Sequence, residues 1–551
     1  DTILLPNSIT NLFDTFLISE KIGLVGSKLI FPNIAQLQEA GSLIFKKGVA
    51  YNFGKFNNQS KFEYNFLRET DYCSGCSLMI RRKLFSRIGM FDKIYSPAYY
   101  EDVDLAFEIR KLGLKCVYQP TSTVIHFEGV SSGTDLNSGA KKSQVTNQKV
   151  FFNKWKAKLK NHQKNPYTRK YTKNQFEHYF DKKFLIIDEI MCTPKQDAGS
   201  FFMFNFLKAL VSQSHKVDLL VQHSLLKDRV LLNAFGIGTP AEEIDFDTMK
   251  NFIERVIHEY DFIILTRPMI YEKFFKFIKK LNFKGSIIYN TVDLHFIRAK
   301  TEYEINKNSK FLDLSDEFKK IELDAIKRTD KTLIYGRSDS QYLKKNNLCK
   351  ISKLSQFPII HEVSDFKEVI KRKKKRNIIF IANFNHQPNV DGLNHFLYND
   401  FFPIQHLLKI KLLIIGRDAE RKIKKIKGIY SSKNLIFLGY QENLLPFYSE
   451  SILSLAPLRF GAGINGKLLM SMSFGVPVIG YNYAMKNANL IDKVNYLKFE
   501  GKQEFLEALN LCKNKFFYNS LCLNSLKYIK KNYSLESGNK HIKNIISLQK
   551  K

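Results

Sequence analysis

Residues 452–479 read ILSLAPLRFGAGINGKLLMSMSFGVPVI, and the fold of the C-terminal part of the chain follows from this stretch. The apolar run at 452–456 predicts a buried strand, and the periodic pattern that continues to about Phe474 predicts a helix. A glycine-rich loop lies between them, and a further strand starts after Gly475. This order of elements directs backbone N–H groups and the positive end of a helix toward a phosphate.

The loop and the start of the helix carry groups suited to a diphosphate. Cationic side chains attract the phosphates, and glycines let the backbone approach them closely. The spacing differs from a Walker loop, which ends in Lys-Ser or Lys-Thr. A turn with a purely structural role is the alternative. The predicted diphosphate-binding residues are Arg459, Gly461, Gly463, Ile464, Asn465, Gly466 and Lys467.

Apolar strands alternate with amphipathic helices on the N-terminal side of this stretch. This alternation is typical of βαβ units and parallel sheets, which bind ligands at the carboxyl ends of their strands. The sequence therefore predicts an α/β fold with two Rossmann-like domains, at 184–370 and 371–551, and a cleft between them. The candidate strands are 184–190, 216–221, 262–266, 286–290, 332–335, 377–382, 412–416, 435–438, 452–456 and 476–479.

Residues 184–545 resemble family-4 glycosyltransferases of the GT-B fold. Besides the glycine-rich loop, the resemblance rests on residues 197–200, 289–295, 384–389 and 439–448. It implies sugar transfer with retention of configuration and without a required metal. It also implies that Gly199 contributes to the donor site and that Asp293 and His295 are candidate catalytic residues near the acceptor. The alternative for the last two residues is a cap at the end of a strand.

One departure from this family concerns the donor ribose. Many members carry two Glu residues across the loop and helix, and Ala462 and Met470 stand at the matching positions. Neither side chain can accept a hydrogen bond. Backbone groups and Asn465 hold the ribose, or affinity is reduced, or the domain is degenerate.

Residues 1–160 form a separate block with an acidic cluster. Residues 99–105 contain three carboxylates within four positions, and a helical pattern follows. Asp102 would lie near the helix start, as a general base or as part of an acidic first turn. His126 ends an apolar strand two residues before Glu128, where it could contact a metal or a diphosphate.

This block resembles the C-terminal half of family-2 glycosyltransferases, which have the GT-A fold. The matching segments are 23–29, 71–75, 89–92, 100–105, 118–120 and 126–129. The resemblance implies inverting transfer from a nucleoside-diphosphate sugar, with Asp102 as the base. The acceptor and donor pocket would be lined by Asp71, Ser74, Gly75 and Glu101.

The same resemblance implies a divalent metal, Mg²⁺ or Mn²⁺, held in a complete domain. Asp1 matches the last carboxylate of the family's metal-binding motif, and His126 would contact the metal or the diphosphate. The nucleotide-binding half of that family would precede Asp1. We therefore expect the chain to be truncated at its N-terminus and this block not to catalyse as it stands.

Length, net charge and cysteine spacing restrict the domain number, the partners and the disulfide or zinc sites that can be expected. The 551 residues suggest three to four domains, with a linker at 161–183. The net charge is +33, yet Lys is spread along the chain, as AT-rich codon usage would produce, so no nucleic-acid partner is expected. Attraction to an anionic membrane or to phosphorylated substrates is the alternative. Seven irregularly spaced cysteines argue against a disulfide framework, and Cys73 and Cys76 lack a second pair for zinc.

We therefore expect an enzyme that transfers a sugar from a nucleoside-diphosphate sugar to a glycan or a lipid-linked acceptor, as in bacterial surface polysaccharide assembly. The expected location is cytoplasmic, with peripheral contact at the inner membrane face, since no apolar stretch reaches the ~18 residues that span a bilayer. A non-catalytic scaffold and a sugar-nucleotide epimerase are the alternatives.

Overall fold

A computed structural model describes the chain except for residue 34, residues 129–141, 165–175, 194–197, 241–244, 372–376, 424–431, 460–465, 486–487, 489 and 548–551. The chain divides into two compact units. The first contains residues 1–191 and 210–261, and the second contains residues 192–209 and 262–551. The domain boundaries predicted from the sequence stay predictions.

The N-terminal part of the first unit is a mixed sheet with helices on both faces. The sheet contains β1 (Thr2–Leu4), β2 (Ile22–Ile30), β3 (Leu37–Glu39), β6 (Arg68–Glu69), β7 (Leu78–Ile80) and β8 (Lys115–His126), while β4 (Ser42–Ile44) and β5 (Ala50–Asn52) pair separately as an antiparallel two-stranded sheet. The helices are α1 (Ser8–Ile18), α2 (Arg82–Arg87), α3 (Glu101–Lys111) and α4 (Lys142–Leu159). The sheet order is β1-β8-β2-β3, with β6 paired to β8 and β7 paired to β2.

The central strand β2 explains how this sheet is covered. Leu24 packs with α3 and α4 in one apolar cluster, and Val25 packs with α1 in another, because successive side chains of a strand point to opposite faces. Gly26 is required because a Cβ there would lie 2.2 Å from the side chain of Cys73. The sheet is therefore buried on both faces at β2.

The described ends of the predicted linker pack on this block. The imidazole of His162 lies 2.7 Å from the carbonyl oxygen of Ile44. On the other side of the undescribed residues 165–175, Phe176 is buried with its ring 4.7 Å from that of Phe53. Both ends are therefore anchored to the first unit.

The next elements form parallel β-strands with connecting helices. In chain order they are β9 (Lys183–Ile190), α5 (Ala198–Ser212), β10 (Lys216–His223), α6 (Leu226–Ala234), β11 (Ile237–Gly238) and α7 (Phe246–Val256). The strands β11, β10 and β9 are neighbours in the first unit and run parallel. Most of α5 belongs to the second unit.

The second unit continues with a parallel set in the order β12-β13-β14-β15. These strands are β12 (Phe262–Thr266), β13 (Ser286–Asn290), β14 (Lys331–Ile334) and β15 (Leu354–Gln356). The helices between them are α8 (Pro268–Lys280), α9 (His295–Asn306), α10 (Ser309–Arg328) and α11 (Arg337–Lys345).

The last sheet is also parallel, with the order β18-β17-β16-β19-β20-β21. Its strands are β16 (Asn377–Ile381), β17 (Lys411–Ile415), β18 (Leu435–Gly439), β19 (Ser451–Ala456), β20 (Val478–Gly480) and β21 (Leu497–Lys498). Its helices are α12 (Phe366–Lys371), α13 (Gln387–Phe396), α14 (Ala419–Ile423), α15 (Leu445–Glu450), α16 (Gly466–Ser473), α17 (Asn482–Met485), α18 (Lys502–Leu511), α19 (Lys515–Tyr533) and α20 (Leu535–Ile546).

The predicted α/β class with parallel sheets is confirmed. The strands predicted at 262–266 and 286–290 have the bounds expected from the sequence, and the others differ by one or two residues at one or both ends. β20 starts after Pro477, which has no N–H to donate to a sheet. In the residues that the structure describes, none of the helices has both the length and the apolar character needed to cross a bilayer.

Candidate functional site

The candidate site lies at the carboxyl ends of β16 and β19. The strand order of the last sheet changes direction between these two strands, so the connections leave it on opposite faces. Open parallel sheets bind ligands in the crevice at such a point. The connection from β16 leads to His386, and the connection from β19 leads to Arg459 and then to α16.

The centre of the predicted diphosphate loop lies outside the described residues. It contains Gly461, Gly463, Ile464 and Asn465, together with Ala462. The cradle predicted for these residues stays a prediction. Met470, on the following helix, is half-buried and packs on an apolar cluster that includes Tyr448 and Val476.

Lys467 lies in the first turn of α16 and is half-buried. Burial lowers the pKa of its ammonium to about 8. Within the described part of the chain this ammonium has neither a hydrogen-bond acceptor nor an acidic partner. A cation beside the positive end of a helix is disfavoured by about 0.3–1 kcal/mol. A bound anion would therefore relieve the electrostatic cost at this position.

Gly466 brings the start of α5 to the same place. A Cβ at Gly466 would lie 2.2 Å from the ring of Phe202, so the two helices approach closely here. Phe202 follows Gly199 by one turn of α5. The structure thus places Gly466 beside α5, about one turn from Gly199, and the shared donor role of Gly199, Gly466 and Lys467 stays a prediction.

The side chain of Arg459, unlike that of Lys467, forms an ion pair with a residue of α13. Its Nη1 lies 3.3 Å from Oδ2 of Asp391 on α13, and both side chains are partly exposed. Exposed ion pairs of this kind contribute about 1 kcal/mol or less. The pair can therefore be exchanged for a stronger anion at little cost.

Asp293 and His295 are in contact at the start of α9. Nδ1 of His295 lies 3.2 Å from Oδ1 of Asp293, and Nη1 of Arg298 donates to Oδ2 of the same carboxylate at 2.8 Å. Burial lowers the pKa of His295, while the charge of Asp293 opposes this effect. Asp293 is thus held between an imidazole and a guanidinium.

Glu322 on α10 supports this group, and the sequence analysis did not identify it. The carboxyl group is fully buried and accepts hydrogen bonds from the backbone N–H groups of His295 and Phe296 and from the hydroxyl of Tyr289, at 3.0–3.2 Å. Burial raises the pKa of Glu322 to about 8. The available signal was its place on the buried stripe of α10, with Ala325 and Ile326.

Unpaired polar groups lie at the carboxyl ends of β12 and β13. Asn290 is fully buried and neither polar atom of its amide has a partner in the described residues. The Oγ1 atom of Thr266, its neighbour across the sheet, is unpaired as well. Arg267 and Val292, which follow these strands, have φ values of 72° and 61°. For non-glycine residues this costs about 1–3 kcal/mol each, and such strain clusters at functional sites.

His386 is the N-cap residue of α13, the helix that follows the first strand of the last sheet. Its pKa is lowered, first by the loss of water around the ring and then by the positive charge of Lys467. The charges of Arg298 and Asp293 also act on this ring. The predicted donor and acceptor residues therefore belong to one electrostatic neighbourhood.

The acidic cluster of the first unit surrounds the turn at Ser74 and Gly75. Oδ2 of Asp102 accepts the N–H of Gly75 at 2.8 Å, and Glu39 accepts the N–H of Ser74 at 3.1 Å. Burial raises the pKa of the Asp102, Glu39 and Glu101 carboxyl groups above their ordinary values. The pKa of Glu39 rises to about 8 and that of Glu101 to about 7. Glu39 was not identified from the sequence, because its carboxylate comes from a short strand far from the acidic motif.

Asp71 has a different environment from this cluster. Its carboxylate accepts the N–H of Ile44 at 2.8 Å and pairs with Arg110 at 2.8 Å, and it also accepts the hydroxyl of Tyr179. It is 1% exposed. With these partners Asp71 holds β4, α3 and the segment before β9 together.

Asp1 and His126 lie at the paired ends of β1 and β8. Nε2 of His126 is 3.8 Å from Oδ1 of Asp1, and its Nδ1 is 2.9 Å from Oε1 of Gln38. The described residues contain no group of three His, Cys, Asp or Glu side chains that could hold a metal ion. Mg²⁺ is commonly held by one or two carboxylates together with water and substrate phosphates, so the divalent metal expected for a complete domain stays a prediction.

Residues 375–512 match the family model described as "Glycosyl transferases group 1". Two curated relatives from Mycobacterium tuberculosis, both named N-acetylglucosaminyl-diphospho-decaprenol L-rhamnosyltransferase, are 40% identical over 68 residues. That alignment covers 12% of this chain and 22% of each relative.

Solved structures similar to this chain include Anabaena Alr3699/HepE in complex with UDP and glucose, with a TM-score of 0.49 and 11% identity. The match covers 67% of this chain and 100% of that protein. Sucrose-phosphate synthase from Thermosynechococcus elongatus is similar with a TM-score of 0.49 and 12% identity, over 67% of this chain and 99% of the other.

Proposed function

We propose that the chain is a glycosyltransferase that uses a nucleoside-diphosphate sugar, with activity residing in residues 184–551. The observation that carries this proposal is the ammonium of Lys467 at the start of α16, which has no partner among the residues that the structure describes and lies in the segment that matches the group 1 glycosyltransferase family. An anion with two phosphates suits that position, because the helix end and the ammonium both attract negative charge.

In this proposal the protein stabilises the leaving group. Lys467 and the N-terminus of α16 would neutralise the diphosphate as the bond to the sugar breaks, an effect that is large where water is excluded. Arg459 would join them after leaving Asp391. No metal ion is needed for this role, because the ammonium and the helix end supply the positive charge.

The acceptor would approach from the side of α9. Asp293 is the candidate to orient or deprotonate an acceptor hydroxyl, and His295 holds one of its oxygens. Arg298 donates to the same carboxylate at 2.8 Å and restricts its orientation. The short distance between these groups supports one shared role near the acceptor.

We also propose that residues 1–160 are the C-terminal part of a GT-A glycosyltransferase, which makes the chain a tandem protein. The motif segments at 71–75, 100–105 and 126–129 support this assignment, and a 68-residue stretch of the chain matches two rhamnosyltransferases. Their names specify an acceptor built on a lipid diphosphate, so a lipid-linked glycan is the proposed acceptor class here. Such an acceptor would require peripheral contact with the inner, cytoplasmic face of a membrane.

A donor screen tests the enzyme proposal. The full chain is incubated with a panel of nucleotide sugars, and release of nucleoside diphosphate is measured with and without a glycan acceptor. Lys467→Ala should lower turnover by about 100-fold or more, because one preorganised charge contributes that much to leaving-group stabilisation. Lys502→Ala is the matched control, since Lys502 is exposed at the first position of α18.

Two results would oppose the proposal. Turnover that is unchanged in Lys467→Ala would remove this residue from the mechanism. Donor binding without turnover by any nucleotide sugar would favour a degenerate scaffold, an alternative supported by the packing of Met470 against apolar side chains.

A further inference from the structure

A basic and apolar surface covers residues 82–94 of the first unit. It consists of α2 and the loop that follows it, and all of its cations are solvent-exposed. None of the sequence motifs assigned to sugar transfer uses these side chains except the loop at 89–92. We refer to residues 82–94 as the α2 surface.

Large apolar side chains project from this loop into solvent. Met90 is 59% exposed, Phe91 is 43% exposed and Ile94 is 55% exposed. The loop turns at Gly89 and Met90, with φ values of 91° and 64°. Left-handed backbone is unfavourable for methionine, so the fold maintains a strained turn that presents apolar groups to water.

Unpaired cations surround these apolar groups. Arg82, Lys83, Arg87 and Lys93 have no hydrogen-bond or ion-pair partner among the residues that the structure describes, and all four are exposed. The one acidic side chain in the segment, Asp92, is bound by Lys154 at 3.0 Å. The α2 surface therefore presents positive charge that the protein itself does not neutralise.

The inner side of the same segment is fixed to the core. Leu84, Phe85 and Ile88 pack on the apolar cluster between the sheet and α3. The ring of Phe85 also meets that of Phe91 at 5.3 Å, edge to face. The exposed side chains therefore belong to a segment whose inner side is packed against the core.

We propose that the α2 surface docks on an anionic lipid bilayer. Apolar side chains flanked by Lys and Arg are the combination that binds the membrane interface, because the apolar groups enter the headgroup region while the cations face anionic lipid. This inference rests on the peripheral membrane contact proposed above and names the surface that makes it. It does not depend on which sugar is transferred.

Vesicle co-sedimentation of the full chain tests the assignment. The chain should bind vesicles of phosphatidylcholine with phosphatidylglycerol, bind pure phosphatidylcholine weakly, and be released by salt. Each cation contributes about a fivefold change in partitioning, the equivalent of about 1 kcal/mol. R82Q/K83Q/R87Q removes three cations and should therefore weaken binding roughly 100-fold, and M90S/F91S/I94S should weaken it about tenfold.

Two matched controls distinguish vesicle binding by the α2 surface from non-specific binding through cations or exposed apolar side chains elsewhere on the chain. K276Q/K280Q/K284Q removes three exposed cations on and beside α8, whose residues are all described and include no exposed large apolar side chain. F13S/L17S removes exposed apolar side chains from α1, whose sequence has no cation. Both controls should bind vesicles within about twofold of the unaltered chain, the scatter expected for surface changes. Equal losses in control and test variants would overturn the proposal.

A tryptophan fluorescence measurement tests the same proposal without the multiple substitutions that could make a variant misfold. The sequence contains one Trp, and that residue, Trp155, is buried, so its emission should stay constant. Phe91→Trp should show a blue shift with anionic vesicles, and Phe13→Trp should not. Absence of a shift at position 91 would refute docking. Donor turnover is measured without vesicles, so failure of the enzyme proposal is recognised separately.

Discussion

At the residue scale, fully buried carboxyl groups support partly buried polar groups in both units. Glu322 holds the first backbone N–H groups of α9 and thereby positions His295 beside Asp293. In the first unit, Glu39 likewise accepts a hydrogen bond from a backbone N–H group, that of Ser74, and supports the turn there. In both places a carboxyl group with a raised pKa supports a second carboxylate.

Glu322 makes stability depend on pH. Its folded-state pKa of about 8 lies above the usual value of 4.5, so the folded chain retains a proton that the unfolded chain releases. Stability from this group is therefore greatest below about pH 4.5 and declines as the pH rises toward 8. Glu322→Gln should flatten the pH dependence of the urea midpoint in this window.

The control for this prediction is Glu317→Gln, an exposed position on the same helix. At low pH Glu322→Gln should also be less stable by about 1–3 kcal/mol, because the amide NH₂ meets backbone N–H groups that need an acceptor. An unchanged pH profile in Glu322→Gln would show that this carboxyl is not the titrating group.

At the element scale, close approach of helices and loops to strand ends shapes the site. Gly392 on α13 faces the connection that leaves β19, and a Cβ there would lie 2.2 Å from the carbonyl oxygen of Pro457. The backbone carbonyl of Pro457 cannot move away from an added Cβ as the end of a flexible side chain could. The position of α13, which carries Asp391 and is capped by His386, therefore depends on this glycine.

Gly392→Ala should destabilise the protein by about 1–3 kcal/mol, as overpacking at a close contact does. Gly501→Ala is the control, because no atom lies within 4 Å of a Cβ at that position. Thermal unfolding measures both variants, and the control should change stability by less than about 0.5 kcal/mol. Equal melting temperatures for the two variants would contradict the close approach.

At the scale of the whole molecule, the chain is held by non-covalent packing. All seven cysteines are free thiols. Burial raises the pKa of the Cys116 and Cys512 thiols to about 12, which suppresses the reactive thiolate. The urea midpoint should therefore be the same with and without a reductant. A lower midpoint under reducing conditions would reveal a disulfide and contradict this description.

The sequence by itself determined the α/β class and the approximate bounds of ten strands between residues 184 and 479, because hydrophobic periodicity is local and each of these strands carries its own signal. It also predicted the helix that follows the glycine-rich loop and ends near Phe474, while the structure placed the start of that helix at Gly466. It did not predict the short strands β11, β15 and β21. The role of Glu322, the partners of Asp71 and the neighbourhood of His386 were decided by the tertiary structure. These depend on side chains that are distant in sequence, and burial and charge become defined when strand order and helix packing bring such groups together.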